Sequence, residues 1–392
     1  MARAFLIVLD SVGCGGAPDA CDFFNGDLPD TGANTLGHIL AKRGLNVPNL
    51  DALGLGAAMR LSTEIETPGL DAVPYGRWGV AREISQGKDT PLGHWELAGL
   101  PVPWEWTYFP DATPAFPDAL TQALCRAAGT EGILCNAHSN GIKVIDDFGE
   151  EHLKSGWPIC YTSADSVLQI AAHEEVFGYE RLLQMCREIA PILHDMRVGR
   201  VIARPFVGTT RADFKRTPKR RDFAISPPEP VLTNWVQDAG GTVHGVGKIG
   251  DIFSMAGIDT STKGPDIDLM HALDGLAETA GHGDFVFANL VEFDTDYGHR
   301  RDVEGYGAAL ERFDVWLGQF LPRLAPDDLL ILTADHGNDP SWPGTDHTRE
   351  QVPVLVHGAG VGEIGVCGFV DVGASIAAHL GAKSHGIGRS FL

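Results

Sequence analysis

Positive charge and paired cysteine are both scarce in this 392-residue chain. Its 30 Lys and Arg stand against 52 Asp and Glu, a formal net charge of -22. Such an excess repels polyanions at long range, which argues against nucleic acid and anionic membrane as partners. A phosphorylated substrate would have to be drawn in locally, by metal ions or clustered basic side chains. Cys14, Cys21, Cys125, Cys135, Cys160, Cys186 and Cys367 are odd in number, scattered and without a CxxC pair. They read as small buried residues in a reducing compartment, not as a disulfide framework. Long apolar runs are absent as well. The opening MARAFLIVLD has an unbroken apolar run of only six residues before Asp10, too short for a signal-peptide core or a membrane span, so a cytoplasmic protein is expected. No internal repeat or low-complexity tract is visible.

The remaining composition, 44% hydrophobic and 21% charged, is that of an ordinary soluble protein, and 48 glycines with 24 prolines point to many tight connections. The length exceeds one typical core and predicts two domains, or one large domain with an insertion. Three apolar runs close on acids: AFLIVLD on Asp10, FVFANLVEFD on Asp294 and LLILTAD on Asp335. Short runs apolar on both faces suit buried parallel strands. Helical patterns such as NTLGHILAKRG and GYGAALERFDVWLGQFLPRL lie between them, predicting an α/β fold with a helix-covered, mostly parallel sheet. From about residue 105 to 227 the strand-ending acids stop, and proline-rich stretches (PVPWEWTYFPDATPAFP, SPPEP) flank new strand and helix candidates. We read residues 105–227 as an α/β cap domain inserted into a core built from 1–104 and 228–392.

Ligands in open α/β sheets sit beyond the carboxyl ends of the strands, so acids far apart in sequence can converge there. The last hundred residues add histidines: EFDTDYGHRRD carries Asp294 and His299, TADHGND carries Asp335 and His336, and PGTDHT carries His347. With Asp10 these make three carboxylates and three imidazoles, a donor set for two divalent ions of borderline hardness. Asp296 and Asp346 are alternatives to their neighbours. A single Asp after a strand is more often a turn former or helix cap; the combination is what points to metal. Two such ions with three carboxylates leave a net positive site suited to phosphoryl or sulfuryl transfer.

GKDTPLGHWELAGL supplies a nucleophile, Thr90. Thr before Pro is a good N-cap with Pro91 as first helical residue, and the plain reading is a cap and nothing more. Beside metal ions the hydroxyl gains nucleophilicity, and a phosphate on it would lie at a helix N-terminus that favours anions. Lys88 and Asp89 are candidates for positioning that group. Between residues 197 and 221, Arg197, Arg200, Arg204, Arg211, Lys215, Arg216, Lys219, Arg220 and Arg221 face one acid, Asp213. Either this is a solvated basic face, or some of these arginines grip a non-reacting phosphate. Arg204, at the end of an apolar strand candidate, is our first choice and Arg211 the second.

The metal set resembles that of the alkaline phosphatase superfamily. The stretches VLDSVG, NTLGHI, GKDTPLGHWE, YTSADSVLQIAAHEE, RVIARPFVG, GKIGDIF, LVEFDTDYGHRRD, TADHGNDPSWPGTDHTRE and the final GRSFL resemble the phosphopentomutase family from end to end. The resemblance implies an alkaline-phosphatase-like core and two manganese ions, one on Asp294, His299 and His347, the other on Asp10, Asp335 and His336. It further implies a phosphothreonine at Thr90, primed by a sugar bisphosphate such as glucose 1,6-bisphosphate or ribose 1,5-bisphosphate. The implied reaction interconverts ribose 1-phosphate and ribose 5-phosphate, or the deoxyribose forms. Ser163 and Asp165 of YTSADS would contact sugar or the other domain, and Lys248 of GKIGD would be an interdomain partner, although SADS also reads as a capped helix start. The family commonly has small polar residues after the nucleophile, where this chain has Pro91 and Leu92. Three other readings compete: a metal-dependent phosphatase or phosphodiesterase of the same superfamily, a metal-dependent phosphoglycerate mutase, which uses serine and a longer chain, and a non-catalytic metal-binding module in which Thr90 is dispensable. The expected partner is a small phosphopentose, with no obligatory protein partner.

Overall fold

The run AFLIVL forms a strand, β1 (Ala4–Leu9), in which every residue is buried. Burial on both faces is what a parallel strand between two helical layers requires. In the computed structural model, which describes residues 2–102, 104–163 and 166–392, β1 lies inside an eight-stranded sheet. The other strands are β2 (Arg77–Arg82), β3 (Val243–Val246), β4 (Thr260–Thr262), β5 (Phe285–Leu290), β6 (Leu329–Thr333), β7 (Val352–His357) and β8 (Gly362–Gly368). Their order is β4-β3-β5-β1-β6-β7-β2-β8. All neighbours pair in parallel except around β7, which is antiparallel to both β6 and β2.

The register explains why remote residues meet. Leu9 pairs with Leu290, and Val8 with Thr333, so β5, β1 and β6 release their carboxyl ends side by side, one strand spacing apart. Asp10 follows β1 directly and Asp335 lies two residues past β6. Because β7 is reversed, the segment entering it arrives at the same end and delivers His347. β2 runs with the majority, and the segment leaving it delivers Thr90. Helices cover the sheet. Thr35–Arg43 is capped by Asn34, whose Oδ1 accepts from Gly37 N at 2.8 Å, and it packs with Pro48–Leu53 against Val303–Phe320. Phe369–Leu380 packs on Thr90–Leu97 and Leu232–Asp238.

The chain divides into two units, 1–103 with 227–392 and 104–226. The second unit has its own mixed sheet, in the order Arg221–Ala224, Arg200–Val207, Val167–His173, Ile159–Thr162, Leu134–His138, with Lys215–Arg216 paired to Arg200–Val207. Helices Asp118–Ala128 and Tyr179–Asp195 bury Leu120, Leu124, Leu182, Met185 and Ile189 against that sheet, in one cluster with Ile170 and Val201. The DSVLQI segment enters the strand Val167–His173, so the helix-start reading of SADS is wrong: the β-branched and apolar run prefers a fully buried strand.

Among the described residues no helix is long and apolar enough to cross a membrane. The cysteines are free, and Cys14, Cys160 and Cys186 are buried. Cys21 departs from the expectation of burial and is exposed, in the short 3-10 turn Ala20–Asp22.

One ion pair staples the sheet at the end opposite the acids. Arg3 donates from Nε to Asp328 Oδ1 at 2.9 Å, from Nη2 to Asp328 Oδ2 at 2.5 Å and from Nη1 to the Ala277 carbonyl at 2.8 Å, with Asp328 fully buried. Arg3→Ala leaves that carboxylate uncompensated and is expected to cost about 3–5 kcal/mol in denaturant unfolding, whereas Arg3→Met combined with Asp328→Asn should cost clearly less.

Candidate active site

At the carboxyl ends of the strands six side chains converge. Asp10, Asp335 and His336 each offer a ligand atom within 4.8 Å of the others, and so do Asp294, His336 and His347. His336 Nε2 lies 3.5 Å from Asp10 Oδ1 and 3.3 Å from Asp335 Oδ2. His347 Nε2 lies 3.5 Å from Asp294 Oδ1, and His299 Nε2 lies 3.1 Å from Asp294 Oδ2 and 3.2 Å from His347 Nε2. Sequence spacing puts Asp294 at the end of its strand. The structure corrects this: β5 stops at Leu290, and Asp294 sits in a π-helical turn, Phe293–Gly298, which winds one extra residue per turn and turns both Asp294 and the following His299 toward the site.

Each histidine is held the same way. Nδ1 donates to a backbone carbonyl, of Gly337 from His336 (3.1 Å), of Thr345 from His299 (2.6 Å) and of Lys88 from His347 (2.7 Å). With Nδ1 so committed, Nε2 is the atom presented to the cluster in all three rings, which is how metal-binding imidazoles are oriented by their outer partners. The carboxylates are held through one oxygen each. Asp10 Oδ2 accepts from Asn289 Nδ2 (2.8 Å), Asp335 Oδ1 from Ser11 N (3.1 Å) and Asp294 Oδ1 from Asn338 Nδ2 (2.7 Å). Asn338 is itself gripped through its carbonyl by Arg301.

Thr90 Oγ1 is 3.2 Å from His336 Nε2. The expected N-cap role is off by one residue: the helix begins at Thr90, and Asp89, in extended conformation (φ -103°, ψ 148°), occupies the cap position. The hydroxyl is thereby turned to the histidine instead of back onto the helix. Gly93 lets this helix close on the Asp335 segment, since a Cβ there would lie 2.1 Å from the Asp335 carbonyl oxygen. Lys88 faces away from Thr90, donating to Phe24 O (2.8 Å) and pairing with Asp30 (3.1 Å) and Asp346 (3.3 Å). Asp346 is so engaged, and Asp296 pairs with Arg300 at 2.9 Å, which leaves neither as a substitute ligand.

Sequence reasoning missed the scaffold behind these residues. Buried Glu350 accepts from Gly15 N, Thr35 N, Thr35 Oγ1 and Thr348 Oγ1 at 2.7–3.1 Å, tying the segment that enters β7 to the turn after Asp10 and to the start of the helix Thr35–Arg43. Arg349, 1% exposed, bonds Asp19, Glu83 and the Gly87 carbonyl, fixing the segment that leads to Thr90. Both close the stretch TADHGNDPSWPGTDHTRE, but as charged residues just before an apolar strand they read as surface charges.

In the second unit the predicted basic cluster splits. Lys219 pairs with Glu174 (2.7 Å) and Arg220 with Asp222 (2.6 Å), a solvated face. Arg211 is exposed, its guanidinium 3.8 Å from Asp147. Arg204 does not end its strand but is the fifth residue of Arg200–Val207, half-buried, with Nε donating to Gln169 Oε1 at 2.6 Å. Gln169 Nε2 reaches Ser163 Oγ at 3.5 Å. Arg204, Arg216 and the Tyr161 hydroxyl converge on Gly141, where a Cβ would lie 3.6, 3.2 and 3.0 Å from them, respectively. Tyr161 is fully buried and its hydroxyl has no hydrogen-bond partner. Asp165 lies outside the described residues. Lys248 is exposed at the start of the short helix Ile249–Ile252, and its charge pulls the Asp10 carboxyl down, though by less than burial and neighbouring acids push it up.

Residues 2–384 match the Metalloenzyme superfamily. Phosphopentomutases from Allorhizobium ampelinum and Methylobacterium radiotolerans are 50% and 51% identical to this chain, each over 100% of both sequences. One from Chelativorans is 51% identical over 100% of this chain and 98% of its own. The chain belongs to the phosphopentomutase family. At the level of fold alone it is similar to the PH0037 protein from Pyrococcus horikoshii (TM-score 0.51, 16% identity, 98% of each chain). It is likewise similar to Leishmania mexicana phosphoglycerate mutase (TM-score 0.50, 14% identity, 99% of this chain and 97% of that one).

For a phosphopentomutase-family chain in a metalloenzyme superfamily, the donor set fits divalent metal ions. Asp10 Oδ1 and Asp335 Oδ2 are buried without any hydrogen-bond partner, an arrangement too costly to retain unless a cation takes them up. Burial, then the neighbouring Asp335 and Asp294, hold the Asp10 carboxyl well above the usual range. Burial also pushes His336 down to about 4, leaving it neutral and ready to ligate. Against the effect of burial, the charge and hydrogen bond of Asp294 push His347 up to about 10. A ligating imidazole must give up its Nε2 proton. Metal binding near neutral pH is therefore expected to release protons, and apparent affinity to climb with pH between about 6 and 8, by about tenfold per unit for each proton released. Calorimetry in buffers of different ionisation enthalpy measures this; a pH-independent affinity with no proton release would go against it.

Proposed function

We propose that this chain interconverts ribose 1-phosphate and ribose 5-phosphate, and the deoxyribose counterparts, by moving phosphate on and off Thr90. The observation that carries the reading is the 3.2 Å separation between Thr90 Oγ1 and His336 Nε2, which puts a hydroxyl beside the ligand cluster at the first turn of a helix. Free N–H groups there favour an anion on that oxygen. In the proposed cycle the substrate's free hydroxyl attacks the phosphorus of phosphorylated Thr90 and the bond to Oγ1 breaks. The proton lost by the attacking hydroxyl is balanced by the one Thr90 regains. The resulting bisphosphate turns end for end, and Thr90 Oγ1 attacks its other phosphorus. Cleavage of that phosphorus–sugar oxygen bond leaves a monophosphate substituted at the other carbon and restores the phosphothreonine. A sugar bisphosphate such as glucose 1,6-bisphosphate or ribose 1,5-bisphosphate primes the enzyme.

Asp294, His299 and His347 would hold one divalent ion, and Asp10, Asp335 and His336 the other, with manganese as the ion of this reading. Bound there, the ions supply Lewis-acid stabilisation of the attacking and leaving oxygens. We assign the grip on the non-reacting phosphate to Arg204 and Arg216 with the Tyr161 hydroxyl, in place of Arg211. Support comes from their convergence around Gly141 and from the unsatisfied Tyr161 oxygen, since guanidinium and phenol donors match phosphate oxygens. Ser163, Asp165 and Lys248 are proposed to contact the sugar or to link the two units. A small phosphopentose is the only partner this chemistry needs, and free thiols suit a cytoplasmic setting.

Thr90→Ala is expected to lower the ribose 5-phosphate to ribose 1-phosphate rate by at least ~10³-fold while leaving metal affinity within about threefold. The wild-type protein, incubated with a sugar bisphosphate, should carry one added phosphate on Thr90 by mass spectrometry. Retained isomerisation by the variant would refute the nucleophile, and stoichiometric release of inorganic phosphate by the wild type would favour a phosphatase. Arg204→Ala should raise KM for ribose 5-phosphate by about tenfold or more, from the loss of a charged hydrogen bond, yet leave turnover of a simple aryl phosphate nearly unchanged. Equal losses on both substrates would remove Arg204 from the grip.

A further inference from the structure

Behind the ligand cluster lies a fully buried polar pair, His94 and Asn289. Asn289 is the last residue but one of β5, and its Nδ2 donates to Asp10 Oδ2 at 2.8 Å and meets His94 Nε2 at 3.3 Å. His94 stands one turn into the helix that begins at Thr90. Its Nδ1 bonds the Thr90 carbonyl at 2.9 Å, and Asp335 Oδ2 lies 3.1 Å from the same nitrogen without forming a hydrogen bond. The ring stacks on Phe287, with centroids 5.8 Å apart.

With Asp10 ionised, as a metal ligand would be, these contacts fit one protonation pattern. Asn289 must present its NH₂ to Asp10, because the flipped amide would set oxygen against carboxylate oxygen. Its second N–H then points to His94 Nε2, which must be the acceptor, so Nδ1 carries the proton and donates it to the Thr90 carbonyl. Asp10 is thereby held by Oδ2, leaving Oδ1 without a partner and facing His336. A continuous chain of bonds runs from the backbone of Thr90 through His94 and Asn289 to Asp10.

We propose that His94 and Asn289 are positioning residues that hold Asp10 to one-oxygen coordination of its ion and fix the Thr90 backbone relative to that ion. The inference rests on the two-ion, Thr90 reading above. If instead the pair merely fills buried polar space, its removal lowers stability and nothing else.

The test uses the full chain with Asn289→Leu, which keeps the branched shape and removes the donor, His94→Phe, which keeps the ring on Phe287, and the double variant. Manganese affinity is measured by calorimetry, the visible absorption of the cobalt-loaded protein reports coordination, and denaturant unfolding is followed without metal. Asn289→Leu should weaken one of two manganese sites about 10–100-fold and shift the cobalt band, as loss of an outer partner does. His94→Phe should move both readouts in the same direction, and the double variant should lose less than the product of the two single losses. Wild-type affinity and cobalt spectrum in either single variant, whatever happens to stability, would overturn the relay, as would strictly multiplicative losses. Should Asn289→Leu not fold, His94→Phe alone decides by the same two readouts. A wild-type protein that binds fewer than two divalent ions would sink the two-ion reading itself, a result distinct from failure of the relay.

Discussion

Three buried carboxylates sharing one small volume are the constraint around which this molecule is organised. Asp10, Asp294 and Asp335 are 0%, 5% and 0% exposed. Ionised together without counter-charge, they would be among the most expensive features a protein interior can contain. The protein resolves this unequally. Asp10 is driven toward its neutral form by burial and by the other two acids. Asp294 and Asp335, despite burial, are held below the usual range by neighbouring histidines, with His347 first for Asp294 and His336 first for Asp335. Divalent cations replace that makeshift balance with a direct one, and this is why the same residues that look frustrated without metal look complete as a ligand set.

Holding such a cluster in place falls to topology and to neutral hydrogen bonds. Parallel register sets the ends of β5, β1 and β6 side by side, and the single reversed strand, β7, brings His347 into the cluster from beyond β6. Each carboxylate is then pinned through one oxygen by an uncharged donor: Asn289, Ser11 N or Asn338. Neutral donors orient without cancelling charge, so the free oxygens keep their full affinity for a cation. Glu350 and Arg349 do the equivalent work one layer further out, on backbone segments instead of side chains.

How far the sequence discloses this depends on whether a residue's role is local. Asp10, Asp335 and His336 are legible because an apolar run ending in an acid and a glycine turn is a one-dimensional signal of a strand end. Asp294 is legible as an acid but not in its setting, since nothing in FVFANLVEFD separates four further residues of strand from a π-helical turn. For Thr90 the sequence indicates a helix start but misses the cap by one residue, because Asp89 and Thr90 are both good cap formers. Tyr161, Gln169, Asn289 and Glu350 show nothing of their roles in residue type or spacing, although Tyr161, Gln169 and Glu350 stand in stretches that resemble the family. Each sits in or next to an apolar strand, where a polar residue means a partner elsewhere in the chain, and the identity of that partner is information only the fold contains. Arg211 and Arg216 show the limit from the other side: five residues apart in a basic run, one pairs with a surface acid and the other turns toward a buried phenol.

The net charge of -22 sets a last condition on any anion this protein receives. Charges farther than a Debye length, about 8 Å at physiological ionic strength, are largely screened from an approaching phosphate. The surface acids therefore weaken the encounter but do not decide the bound state. On the reading proposed above, what decides it would lie within contact distance: cations taken up by the carboxylate cluster, and guanidinium or hydroxyl donors to the phosphate oxygens. An acidic surface with electropositive sites sunk into it is thus internally consistent. It would discriminate against large polyanions, which must touch much of the surface, and would admit a small dianion, which has to touch only the site.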